Sequence, residues 1–129
     1  MRVPVAVALL ALVVLAACRR ELVQPPAGSG CPPFTTLTLS VSPGTTPTFA
    51  WTPACRPDRF AVWEEDGTAQ SMWVIVDSVP SGLRYGVVPP GAREVTQAKP
   101  LVPGVRYRVS ASNFSQFGGG ATGQTAFVP

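Results

Sequence analysis

From residue 35 onward, apolar and polar residues alternate in short runs, each ended by glycine or proline. Thr35–Val41 reads TTLTLSV and sets Leu37, Leu39 and Val41 on one face of a strand. A turn at Pro43-Gly44 leads to Thr48–Trp51; Phe60–Glu64 follows, then a turn at Asp66-Gly67 and the apolar run Met72–Val76. Leu83–Val88 and Arg93–Thr96 alternate less regularly. Val105–Ala111 puts Val105, Tyr107, Val109 and Ala111 on one face, and Gly118-Gly119-Gly120 turns the chain into a last run, Thr122–Val128. Outside residues 3–17 no stretch carries the 3.6-residue period of an amphipathic helix. About seven short strands joined by tight turns predict an all-β, antiparallel sandwich.

The N-terminal pattern is different. Val3–Ala17 is a continuous apolar run of 15 residues, preceded by Arg2 and followed closely by Arg19 and Arg20. A membrane-spanning helix needs about 20 such residues, whereas a charged start and a short apolar stretch fit a secretory leader. The run ends in Leu15-Ala16-Ala17-Cys18, which resembles the lipobox of bacterial lipoproteins. That resemblance implies removal of residues 1–17, a diacylglyceryl thioether on Cys18, and a membrane as partner through its acyl chains. Two or three chains hold stably where one is marginal. In this family an Asp beside the lipidated cysteine commonly retains the protein at the inner membrane. Arg19 stands there instead, which favours the outer membrane of a Gram-negative envelope. Residues 18–30, rich in proline and glycine, read as a flexible tether. Its last twelve residues reach at most about 40 Å.

The remaining domain, residues 31–129, carries a second resemblance. Leu101-Val102-Pro103-Gly104-Val105-Arg106-Tyr107-Arg108-Val109 resembles the L-x-P-G-x-x-Y-x-V stretch of fibronectin type III domains. There the tyrosine hydroxyl bonds back to backbone just upstream, the tyrosine corner. Ala111-Ser112-Asn113 is similar to the A-x-N ending of the same strand. Phe49-Ala50-Trp51-Thr52-Pro53 is similar to the second strand, whose Trp fills the core. The resemblance implies structural roles for Trp51 and Tyr107. Ser81–Ala98 departs from it, being longer and richer in proline.

Outside the cytosol two cysteines remain after Cys18, and disulfides persist there. A hairpin about Pro43-Gly44 brings Cys31, before its first strand, opposite Cys55, after its second, to within one residue. A structural bridge is expected. A redox pair would need the C-x-x-C spacing or an activating neighbour, and Arg56 is the one adjacent cation.

Composition narrows the chemistry. The chain has 129 residues and no histidine, the commonest general base and metal ligand. Without Arg2, nine basic residues face seven acidic ones, too few and too scattered for nucleic acid. Glu64 and Glu65 point to opposite faces of a strand and cannot act as an acid/base pair. Asp58, Asp66 and Asp77 lack calcium-loop spacing, the triple glycine lacks a following Lys-Ser/Thr, and a Ser-Lys pair would rest on Lys99. No catalytic residue, metal or cofactor is expected.

The aromatic residues offer a surface instead. With Phe60 and Val62 inward, Trp63 points out, and a five-residue loop, Asp66–Gln70, would set Trp73 opposite it. Arg106 and Arg108, outward on the neighbouring strand, could stack over both rings, giving a patch for a protein or a glycan. The other reading has Trp73, Ile75 and segment 81–98 covering one another. Phe114 and Phe117 flank a loop, 114–120, that an enzyme inhibitor would present. The expected function is thus a membrane-anchored extracytoplasmic lipoprotein with a non-catalytic protein-binding or scaffolding domain; a cell-wall glycan binder and an inhibitor are the alternatives.

Overall fold

A computed structural model describes residues 30–113, 120 and 122–129. Among them are eight strands and no helix: β1 (Thr38–Val41), β2 (Thr48–Thr52), β3 (Arg59–Glu64), β4 (Ser71–Val76), β5 (Leu83–Arg84), β6 (Arg93–Thr96), β7 (Tyr107–Ser112) and β8 (Thr122–Phe127). They form two antiparallel sheets, β1-β2-β5 and β6-β4-β3-β7-β8, stacked as a sandwich of the immunoglobulin/fibronectin-type-III-like class. Lipobox, leader and tether, apart from Gly30, lie outside the described residues. So does the loop carrying Phe114 and Phe117.

Alternation builds the core. Phe49 and Trp51 come from β2, Phe60 and Val62 from β3, Trp73 and Ile75 from β4, Leu83 from β5, and Tyr107, Val109 and Ala111 from β7; all are buried. Phe60 sits at the centre, 5.0 Å from Phe49, 5.9 Å from Trp51 and 5.8 Å from Trp73, ring centroid to centroid. Each such ring contributes about 1.5–3 kcal/mol through removal of apolar area from water.

The first strand is shorter than its alternation suggests, because the chain changes sheets at its start. Leu37 donates to the Thr122 carbonyl at 2.9 Å, and Thr122 donates to that of Thr35 at 3.0 Å. Thr35–Leu37 therefore runs beside β8, and only from Thr38 does the chain pair with β2. The hairpin register also differs from the expected one: Leu39 opposes Trp51 and Val41 opposes Phe49, since the turn spans residues 42–47 and centres beyond Gly44. Cys31 and Cys55 still form their disulfide, with Cα atoms 4.8 Å apart, but outside the ladder. Cys31 donates to the Arg56 carbonyl at 3.3 Å, and Trp51 Nε1 donates to the Cys55 carbonyl at 2.8 Å. The closed loop of about 25 residues is worth roughly 3.5 kcal/mol in the chain-entropy account.

Segment 81–98 holds both irregular strands. β5 ends after two residues because the chain turns at once: Val87 donates to the Arg84 carbonyl at 3.1 Å and Gly86 takes a left-handed φ of 77°. The chain then crosses to the other sheet, where β6 pairs with the outer edge of β4.

The strand directions define two ends. One gathers Gly30, the disulfide, the β2–β3 connection, Asn113 and the start of β8. Asn113 binds that end together, donating from Nδ2 to the Cys31 carbonyl at 2.9 Å and accepting from the Asp58 amide at 3.1 Å. The opposite end carries the β1–β2 turn, the β3–β4 turn and the turn at Gly104 before β7.

Candidate functional site

The outward face of the five-stranded sheet is where the predicted patch falls, and the structure assembles half of it. Trp63 is half-buried on the outer face of β3, directly across from Arg108 of β7. Trp73 is not there. Val62, not Trp63, opposes Trp73, and Trp63 opposes Ser71. A bulge between Val62 and Trp63 inserts one residue into the hairpin. Because side chains alternate with period two, a one-residue change in register turns Trp73 to the other face. Its ring is fully buried against Phe60 and Tyr85. At the core's margin its Nε1 donates to Glu94 Oε1 of β6 at 2.9 Å. Segment 81–98 thus covers Trp73, the second of the two readings the sequence left open.

The arginines are occupied by a carboxylate the sequence did not single out. Arg106 Nε donates to Glu65 Oε2 at 2.8 Å, and an Arg108 terminal nitrogen donates to Glu65 Oε1 at 2.7 Å. These bonds, Arg108's foremost, hold the Glu65 carboxyl below its ordinary pKa. The predicted stacking over two indoles is replaced by a clamp fixing the start of β7 to the β3–β4 turn. That turn is shaped by Asp66, which accepts from the amide and hydroxyl of Thr68 at 2.8 and 2.6 Å; both bonds hold its carboxyl low.

Beside Trp63 the sheet surface dips into a shallow depression of about 290 Å³, lined by Arg59, Ala61, Trp63, Ala69, Ser71 and Ser110. Short side chains make its floor: Ala61 and Ser110 oppose each other on β3 and β7. Arg59 stands at one end and Trp63 at the other. Chemically this offers one aromatic face, two hydroxyls and a cation. Of its lining, sequence reasoning named Trp63 alone. The parity of Arg59, Ala61 and Trp63 along β3 was the available signal.

Trp51 and Tyr107 are both buried in the core. Among the described residues no three His, Cys, Asp or Glu side chains group as metal ligands would. No family model, curated protein or solved structure matches this chain.

Proposed function

We propose that this chain is a membrane-anchored extracytoplasmic lipoprotein whose sandwich is a non-catalytic protein-binding or scaffolding module of fibronectin type III kind. The observation that carries the location is the Cys31–Cys55 disulfide, a bond that persists outside the reducing cytosol. It agrees with the leader and with acylation at Cys18. The binding surface is the depression beside Trp63, on a sheet whose strands are rigidly paired on both sides. Labelling cells with a clickable fatty acid tests the anchor: label and membrane retention are expected, and both should be lost in Cys18→Ser. A photo-crosslinking amino acid at position 63 tests the surface. A defined protein adduct is expected there, and a product limited to solvent quenching would contradict a protein-binding role.

The hydroxyls of Ser71 and Ser110 beside the Trp63 ring favour a second reading, a cell-wall glycan. Sugar rings stack on an indole while their hydroxyls exchange hydrogen bonds with such side chains. Retention on purified cell wall that falls in Trp63→Ala would select this reading over the first.

A further inference from the structure

Phe34 is the most exposed large apolar residue among those described, with 80% of its surface open to water. A lone exposed apolar side chain calls for no explanation. Phe34, however, also has a backbone φ of 59°, a left-handed conformation that glycine adopts freely and an aromatic L-residue only at a steric cost. Nothing inside the domain rewards that cost with burial. The turn is nevertheless rigid: Cys31 is bridged to Cys55, Pro32 and Pro33 fix the chain, and the Thr35 hydroxyl donates to the Pro32 carbonyl at 2.8 Å. An unfavourable backbone held firmly so as to display a ring points to a use for that ring.

Its position says what the ring meets. Phe34 lies four residues after Gly30, at the end of the sandwich where the tether joins. Read from the sequence as a tether, Arg19–Gly30 joins this end to Cys18 through twelve residues, at most about 40 Å when fully extended. This end, not the opposite one, is therefore held against whatever holds Cys18. From Leu22 to Cys55 the chain carries no charge; at this end Asp77 is paired with Arg93 at 3.5 Å, and Asp58, whose carbonyl accepts from the Asp77 amide at 2.8 Å, is the second acidic residue. Arg56, beside Gly30, is a cation placed to reach the headgroups while the ring goes deeper.

We propose that Phe34 is a second membrane contact, its ring entering the headgroup–acyl boundary of the bilayer that anchors Cys18 and fixing the domain's orientation on it. The inference rests on the lipid-anchored reading above. The acylated full chain carrying Phe34→Trp is reconstituted in phosphatidylethanolamine/phosphatidylglycerol vesicles with brominated acyl chains, beside the unsubstituted protein. Trp51, Trp63 and Trp73 supply the background. The emission added by position 34 is expected to shift to the blue and to be lost to bromine quenching. If that emission stays unquenched while the protein floats with the vesicles, Phe34 is outside the bilayer; this inference falls and the anchor stands. If the acylated protein does not float, or Cys18→Ser protein floats equally well, the anchor at Cys18 fails and the inference with it.

Discussion

The amide of Val102 donates to the hydroxyl of Tyr107 at 3.0 Å, closing a turn of five residues onto the first residue of β7. The ring is buried against Phe127, 5.7 Å away, so one side chain joins the turn at Gly104 to the core and to the last strand. Removing the hydroxyl leaves the Val102 amide without its acceptor in a partly buried place. Tyr107→Phe is expected to cost about 1–2 kcal/mol. For a domain of this size that lowers the melting temperature by roughly 4–8 °C per kcal/mol. An unchanged melt would show that the bond carries no stability.

Trp63 and Trp73 should separate cleanly. Trp73→Ala empties a fully buried site between Phe60 and Tyr85 and removes one bond to Glu94, which still accepts from the Ala98 amide; a loss of about 3–5 kcal/mol is expected. Trp63→Ala changes a half-buried surface residue and should cost under about 1 kcal/mol. Denaturant titration of both variants measures the difference. Equal costs would contradict the register in which Val62, not Trp63, opposes Trp73.

How far residues reveal this architecture differs between its parts. Strand existence was legible because alternation around Phe49, Phe60 and Val109 follows directly from a two-sided sheet. The face of Tyr107 was legible from its alternation with Val109 and Ala111, and its bond to the preceding turn only from the resemblance carried by Leu101–Val109. Trp73 was not, since a bulge changes parity without leaving a signal in residue type: Met72-Trp73-Val74-Ile75 is apolar on both faces. Glu65 was hidden for a related reason. Alternation set it on the face opposite Glu64 and offered it no partner, because Arg106 and Arg108 are more than 40 residues away in sequence. The depression beside Trp63 depends on small residues brought together by pairing, which no single run displays.

Gly123 is fixed by a crossing. A Cβ there would collide with the Leu37 carbonyl and the Leu39 side chain, because the first strand passes over β8 as it changes sheets. Backbone cannot move aside as a flexible side-chain tip can. Gly123→Ala is expected to destabilise by about 1–3 kcal/mol and to loosen the Leu37–Thr122 pairing specifically. Amide exchange at Leu37 should accelerate more than exchange in β4, which two strands separate from β8 in the same sheet; uniform acceleration would place the damage elsewhere.

Tyr85 gives the fold an alkaline limit. Its hydroxyl donates to the Lys99 carbonyl at 2.6 Å. Burial foremost, with Tyr107 nearby, pushes its pKa from 10.0 up to about 12. The folded chain thus holds this proton after the unfolded chain has released it. The stabilisation is complete below about pH 10 and is lost as pH rises through about 12. Tyr85→Phe forfeits the bond to Lys99 and should melt lower than the parent at neutral pH, but it has no phenol to ionise. Melting curves collected from neutral pH to about pH 12 are therefore expected to converge, the parent falling faster across the last two pH units. Parallel decline of the two proteins would mean that the Tyr85 hydroxyl ionises as readily in the fold as in water.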